Sequence, residues 1–423
     1  MAEQLIILGN GFDLRCGLKS SYKDFYVSRY DSQEYNDKIK YLKDNDVEKF
    51  NKIDFVLTIW DIILCEIEDV KEAYWKDIEQ VIKEYVLSEE IESEVPNFYA
   101  SLDVDSQKQI KNKQDNINDF IKKYGHKLSM EKVKPMGNEK AHYDTRAGAV
   151  VLDSNARGGD EESQTRLSNL MFGEEFNSKN FYDFLMLKLK VFENEFKNYL
   201  RKEIENNEEY NNQSTNILKE IITYDTAVEP FETKIISFNY TEPFTAFPFP
   251  DKKYYCLMED PKIEISKIQN VHGTLKHGIV FGIDRNIENE SLPDNAIPFT
   301  KTYRSLSIRQ PDFRIPLFGI NTKIIKFYGH SLGGMDYTYF KIIFDSVNLV
   351  KGDVQLIFFF SIYDKDKISE IREENYKRID NLIRRYEDET MGKESDVLLH
   401  KLRLEGRLLL LEEGFYWNTK EEK

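Results

Sequence analysis

The chain has 423 residues, with 75 acidic against 59 basic side chains, a formal net charge of −16 and three cysteines. This charge repels phosphate backbones, and no basic stripe is present, which disfavours nucleic acid as the primary ligand. Cys16, Cys65 and Cys256 form neither a disulfide framework nor a zinc module, so we predict a reducing compartment and no metal site. The lack of a signal-like or membrane-spanning apolar run predicts a cytoplasmic protein without a membrane anchor.

Four short, mostly apolar runs predict strands, at residues 5–8, 235–238, 324–328 and 354–360. Nearly continuous apolar runs are typical of parallel strands that are buried on both faces. The first three runs end at polar or glycine-rich turns. We therefore expect an α/β fold with a Rossmann-like, mostly parallel sheet and a ligand site at the carboxyl ends of its strands.

The pattern between these strands divides the chain into three parts. Residues 1–44 and 221–365 are predicted to form the Rossmann-like core. Residues 45–220 have the 3.6-residue periodicity of a helical insertion, interrupted near 134–162 by a glycine-rich, charged stretch that predicts a flexible loop. Residues 366–423 are predicted to close the chain as a helical segment, with amphipathic helices at 368–386 and 397–411.

The first candidate motif follows the first strand and reads Gly9-Asn10-Gly11-Phe12-Asp13. Glycines let a backbone approach a phosphate closely, which makes Gly9, Asn10, Gly11 and Phe12 candidate cofactor-binding residues. Leu14 stands where the dinucleotide fingerprint has its third glycine, so a turn without a ligand explains the motif equally well.

Two further candidates lie near predicted strand ends. Asn239 follows the strand at 235–238, where ligands collect in open α/β sheets, although an asparagine also stabilises turns. His272 precedes Gly273 near another strand end, and histidine is the side chain best suited to proton transfer near neutral pH. A structural histidine is the alternative.

The fourth candidate is the turn Gly329-His330-Ser331, followed by Gly333 and Asp336. Its Gly-x-Ser-x-Gly spacing matches the nucleophile elbow of α/β-hydrolases, which makes a serine hydrolase acting through Ser331 one alternative. A hydrolase triad needs an acid and then a histidine later in the chain. The only histidine after Ser331 is His400, in a charged segment predicted to be helical.

Taken in order, these motifs resemble the bacteriophage abortive-infection family AbiH. The resemblance rests on residues 8–14 (LGNGFDL), 17–25 (GLKSSYKDF), 75–79 (WKDIE), 237–241 (SFNYT), 271–273 (VHG) and 329–332 (GHSL) with Asp336. These blocks are spread over most of the chain. The resemblance implies a bacterial protein of antiviral defence, triggered by an unknown phage component.

The order of the motifs is also similar to the catalytic core of sirtuins and of sirtuin-like NAD hydrolases of antiphage defence. This resemblance implies that Gly9 and Gly11 cradle cofactor phosphates, that Asn239 positions a water or the ribose, and that His272 is the base. It makes the turn residues Gly329, His330 and Ser331, with Asp336, cofactor contacts.

Three departures disfavour protein deacetylation. Thr241 stands where sirtuins have an aspartate, Asp13 replaces a serine, and the four-cysteine zinc module is missing. Cleavage of the nicotinamide–ribose bond remains reasonable, because its oxocarbenium-like transition state needs a positioned water and stabilising charge. Asp13 is the candidate for that charge, and a ribose contact is its alternative role.

The sequence thus leads to one hypothesis and one main rival. The hypothesis is a defence enzyme that hydrolyses NAD or a related nucleotide as substrate, requires no further cofactor, and is controlled by homo-oligomerisation or by a second protein acting on the insertion. The rival is a non-catalytic nucleotide sensor that uses the same site. Turnover of the nucleotide distinguishes the two.

Overall fold

The structure is a computed structural model that describes residues 2–43, 49, 52–56, 58, 60–61, 78–87, 181–224, 232–243, 255–259, 262–284, 292–308, 316–362, 364–392 and 397–412. The loop predicted near 134–162 lies outside these residues. The described α-helices are α1 Asn10–Arg15, α2 Tyr22–Tyr30, α3 Gln33–Lys43, α4 Ile78–Val86, α5 Phe181–Glu205, α6 Tyr210–Thr223, α7 Lys301–Ser305, α8 Tyr337–Ser346, α9 Ile368–Met391 and α10 Leu398–Leu404. None of these helices is both long enough and apolar enough to cross a bilayer.

The described strands are β1 Glu3–Leu8, β2 Glu232–Ser237, β3 Tyr255–Glu259, β4 Lys262–Asn270, β5 Gly273–Thr274, β6 Gly278–Ile279, β7 Thr322–Tyr328, β8 Gln355–Phe360 and β9 Leu408–Glu412. Strands β5 and β6 form a small hairpin, and the other seven form one sheet in the order β3-β4-β2-β1-β7-β8-β9. All neighbours in this sheet are parallel except β3, which is antiparallel to β4. Counted along the chain, the parallel strands lie in the Rossmann order 3-2-1-4-5-6, which confirms the expected fold class.

The four predicted strands form because their apolar runs are covered on both faces of the sheet. In β1, Leu5 and Ile7 pack under α8, α9 and α10, whereas Ile6 and Leu8 pack against α1 and α6. The same alternation continues in β7 and β8. Burial on both sides explains why these strands have no polar face.

Residues 397–412 differ from the single helix predicted there. The helix predicted over 397–411 ends at Leu404, and Leu408–Glu412 is β9, which pairs parallel with β8. Gly406 has a φ of 70°, the left-handed conformation that commonly terminates a helix. The charged amphipathic pattern predicts a helix through Leu411, but Leu408–Glu412 form hydrogen bonds with β8 instead, so 366–423 is not wholly helical.

The inserted helices build a second core beside the carboxyl ends of the strands. This core joins the inserted helices α4 and α5 to α2, which precedes the insertion, and to the chain that follows β2 and β4, including Tyr240, Leu275 and Phe281. Helix α6 instead packs directly on the sheet, although it begins within the stretch assigned to the insertion. The insertion therefore adjoins the sheet edge at which a ligand was expected.

Two glycine turns meet where the order of the strands reverses. After β1 the chain goes to β2 on one side, and it returns to β7 on the other side. Gly11 N donates a hydrogen bond to Gly329 O over 2.8 Å, and Gly9 N donates to Tyr328 O over 3.0 Å. A Cβ on Gly329 would lie 2.4 Å from Phe12 N. Close contact between these backbones therefore requires glycine.

Replacing Gly329 by alanine is expected to lower the free energy of unfolding by at least about 2 kcal/mol, since it combines a left-handed φ with overpacking. Gly329 has a φ of 67°. The matched control is Gly319→Ala, because a Cβ at Gly319 meets nothing within 4 Å. Chemical denaturation measures both variants, and equal stability of the two would contradict the requirement for glycine at 329.

Candidate active site

The turns after β1, β2, β4 and β7 bring the predicted site residues to one edge of the sheet, in two adjacent groups. The first group is centred on Asp13 and Asn239, and the second on His272, His330 and Asp336. Phe238 adjoins both groups, because it directly precedes Asn239 and its ring contacts His330 with ring centroids 4.4 Å apart. The sheet topology therefore assembles residues that are far apart in the chain.

The Gly-x-Gly turn is built mainly by contacts within the protein. The amides of Gly9 and Gly11 donate to the β7 turn, as described above, and Phe12 N donates to Gly9 O over 2.9 Å. Phe12 is 1% exposed and packs in the core edge-on to Tyr328. Asn10 Oδ1 accepts a 2.6 Å hydrogen bond from Ser20 Oγ. Packing thus accounts for the glycines and for Phe12 without a bound phosphate.

Asp13 is a fully buried carboxylic acid held by hydroxyl groups. Tyr210 donates to its Oδ1 over 2.7 Å, and Thr241 Oγ1 lies 2.8 Å from its Oδ2. Burial raises the pKa of Asp13 to about 6, although hydrogen bonds from Tyr210, Thr241 and Asn239 favour the charged form. Its charge therefore changes just below neutral pH. Tyr210 was not predicted, because only folding brings α6 to this carboxylate.

Asn239 is fixed through its backbone and leaves one polar atom unsatisfied. Asn270 Nδ2 donates to Asn239 O over 2.7 Å and to Thr241 O over 2.9 Å, which holds the turn after β2. The side chain of Asn239 is buried, and its Oδ1 accepts no hydrogen bond. A buried acceptor without a donor is rare and costly, and such atoms often mark sites where a ligand or water is bound.

His272 has the second unsatisfied atom. Its Nε2 lies 3.2 Å from Asp336 Oδ1, but it makes no aligned hydrogen bond. Burial and the nearby charge of Lys301 lower the pKa of His272. The imidazole is therefore neutral near pH 7, which is the form that accepts a proton.

His330 and Asp336 complete the second group. Leu332 N donates to His330 Nδ1 over 2.9 Å, and His330 Nε2 lies 3.5 Å from Asp336 Oδ2. Lys301 and the two histidines hold the pKa of Asp336 well below its usual range. Asp336 is thus a fixed negative charge that faces both histidines.

Sequence reasoning missed two charged residues at this site. Lys301 Nζ lies 2.6 Å from Asp336 Oδ1 and 2.7 Å from Glu79 Oε2, and all three side chains are largely buried. Glu79 belongs to the 75–79 block, but its position in the sequence alone predicts no role for it. Nothing in the sequence around Lys301 distinguishes it from an exposed lysine.

Ser331 lacks the surroundings of a nucleophile. In α/β-hydrolases the serine itself occupies a strained turn. Here the left-handed conformations fall on Gly329 and Leu332. Ser331 is exposed, while the ring nitrogens of His330 face Leu332 N and Asp336. In the part of the chain that the structure describes, no group of three or more His, Cys, Asp or Glu side chains is arranged to hold a metal ion.

The fold and the site together define an α/β protein of Rossmann strand order with a polar site at its topological switch point. The family model described as "Bacteriophage abortive infection AbiH" matches residues 5–359, which is most of the chain. The chain therefore belongs to the AbiH family, and this membership supports a role in defence against bacteriophage. Neither curated proteins nor solved structures gave a match.

Replacing Asp13 by asparagine is expected to change how stability depends on pH. Burial raises the pKa of Asp13 from 3.8 to about 6, so the folded protein holds this proton more tightly than the unfolded chain. The stabilisation that comes from binding this proton is complete below a pH of 3.8 and is lost as the pH rises through about 6. As the pH rises through this range, the free energy of unfolding of the wild type should fall by about 3 kcal/mol relative to that of Asp13→Asn.

Denaturant titrations at about pH 4 and about pH 7.5 measure this difference. Asp353→Asn is the control, since Asp353 is exposed and its pKa is lowered by Lys323. Its effect should be far smaller and opposite in sign. A stability difference between wild type and Asp13→Asn that is the same at both pH values would contradict the shifted pKa of Asp13.

Proposed function

We propose that this AbiH protein acts in the cytoplasm by hydrolysing the N-glycosidic bond of NAD or a related nucleotide. One observation carries the proposal. Among the described residues, only four buried side-chain nitrogen or oxygen atoms lack a hydrogen-bond partner, and two of them are Asn239 Oδ1 and His272 Nε2. These are the residues to which the sirtuin resemblance gives the water-positioning and base roles.

The chemistry of these side chains suits attack by water on a ribose carbon. Asn239 Oδ1 is a free acceptor that would orient a water or a ribose hydroxyl. The neutral imidazole of His272 would take a proton from that water as its oxygen forms a bond to C1′. The bond from C1′ to the base nitrogen breaks, and its electron pair leaves with the base. Nicotinamide then departs as a neutral molecule.

Charge in the site supports the same reaction class. The transition state of glycosidic cleavage resembles an oxocarbenium ion, and fixed negative charge stabilises it. Asp13 is ionised above a pH of about 6. In the second group, the carboxylates of Glu79 and Asp336 face the single ammonium group of Lys301. A developing positive charge would therefore meet a net negative environment.

Replacing His272 or Asn239 by alanine is expected to lower nicotinamide release by about 100-fold or more, since each change removes a group that acts on the water. Purified protein would be incubated with NAD, alone and with lysate of phage-infected cells, and free nicotinamide measured over time. His277→Ala is the matched control, because His277 lies on the same segment but is exposed. It should retain wild-type activity.

Three outcomes decide between the hypotheses. Release that both site variants abolish supports hydrolysis at this site. Binding of NAD without release under either condition would replace hydrolysis with the nucleotide-sensor alternative. Release that is unaffected in both site variants would place the reaction elsewhere and overturn the assignment of these residues.

A further inference from the structure

Lys301 is an unusual residue for a buried position. Its side chain is 3% exposed, and its ammonium group contacts carboxylates from two different parts of the chain. An unpaired ammonium group at this depth would be strongly destabilising, so the pairing keeps it charged. Both carboxylates raise the pKa of Lys301 well above its usual value. Lys301 is therefore a permanent positive charge inside the protein.

The backbone fixes where this charge lies. Lys301 begins α7, and its N–H donates to Ile283 O over 2.9 Å. Thr300 caps the same helix by accepting a hydrogen bond from Tyr303 N through its side chain. A lysine on a capped and tethered helix start has little freedom to move its Cα. Its position relative to the site is thus set before any ligand binds.

The side chain of Asp336 pairs with Lys301 and does not cap the helix that follows it. It occupies the N-cap position of α8, where an aspartate normally accepts a hydrogen bond from the first turn of the helix. Its side chain makes no such bond. Asp284, from a distant segment, accepts from Thr338 N over 3.2 Å and from Thr338 Oγ1 over 2.7 Å instead. The carboxylate of Asp336 is thereby left to face Lys301, His272 and His330.

The other partner comes from the insertion. Glu79 lies in the first turn of α4, which packs in the core formed by the inserted helices. Its contact with Lys301 produces a continuous series of charges, Glu79–Lys301–Asp336, that ends at His272. We call this series the charge chain. It is a direct physical connection from the inserted helices to the proposed base.

We propose that Lys301 is a positioning residue that holds Asp336 against His272 and, through Glu79, makes helix α4 of the insertion part of the site. This inference rests on the proposed role of His272 as base. Lys301 does not act on the substrate itself. A partner or assembly step that moves α4 would withdraw Glu79 and change the charge that His272 experiences, which gives the insertion a means of controlling the site.

The charge chain predicts that loss of Lys301 and loss of Glu79 shift the pKa of His272 in opposite directions. The groups that act on His272 are Lys301, Asp336 and His330, while the Tyr240 and Tyr339 rings border it. Lys301→Met removes a positive charge and should raise the pKa of His272. Glu79→Gln leaves the charge of Lys301 less neutralised, with little change of shape, and should lower the pKa of His272. General loss of structure would instead move both variants toward the ordinary value for histidine.

Histidine NMR measures this directly. In full-length protein labelled at histidine, the His272 signal is identified as the one lost in His272→Gln, and its titration is followed with pH. Lys301→Met should raise the pKa of His272 by about one unit or more. Glu79→Gln should lower it or prevent protonation within the stable pH range. Lys326→Met is the control, since Lys326 is another buried lysine, but it donates to backbone carbonyls near the end of α6.

The control should leave the pKa of His272 unchanged. The proposal would be overturned if the pKa of His272 shifted in the same direction in Lys301→Met and Glu79→Gln, or if it shifted in neither variant. If Lys301→Met does not fold, the isosteric Glu79→Gln variant still tests it, and an unchanged pKa would then overturn it. The measurement needs no turnover, so it separates the two proposals. If the protein does not hydrolyse NAD but the two variants shift the pKa of His272 in opposite directions, the proposed activity is wrong and the role of the charge chain is supported.

Discussion

The close contact between the turns after β1 and β7 is the constraint on which the site depends. Gly9 and Gly11 lie against Gly329 and His330 at distances that leave no room for a Cβ. This contact fixes the start of α1, which carries Asp13, relative to the turn that carries His330. Because the order of the strands reverses here, the connections after β1, β2, β4 and β7 bring their side chains together at this edge.

Two buried aspartates at this edge have opposite properties because their neighbours differ. Asp13 is surrounded by hydroxyl and amide groups, and burial dominates, so its pKa rises to about 6. Asp336 faces an ammonium group and two imidazoles, and its pKa falls well below the usual value. One carboxylate therefore changes its charge near neutral pH, and the other remains ionised. Such pairs of environments are how proteins separate the roles of identical side chains.

At the same edge, two polar side chains lack the hydrogen bonds that their positions normally provide. Asp336 occupies a helix N-cap without capping the helix, and Asp284 supplies the hydrogen bond that Asp336 does not make. Asn239 keeps a buried oxygen without a donor. The unsatisfied oxygen lowers stability, and such local departures are common at functional sites. The inserted helices contribute as well, because Glu79 joins the buried charges beside the histidines.

The sequence by itself determined the fold class, the four strands β1, β2, β7 and β8, and the edge of the sheet at which the candidate residues meet. It could do so because doubly buried strands have continuous apolar runs, and because a glycine or an asparagine directly follows three of those runs. Only the tertiary structure decided which distant side chains surround them: Tyr210 beside Asp13, and Glu79 and Lys301 beside Asp336. Those partners come from helices whose local sequence has no sign of the contact. The leucines of β9 were likewise predicted to be helical. They form a strand only because β8 offers them free hydrogen-bonding groups, which the local sequence does not reveal.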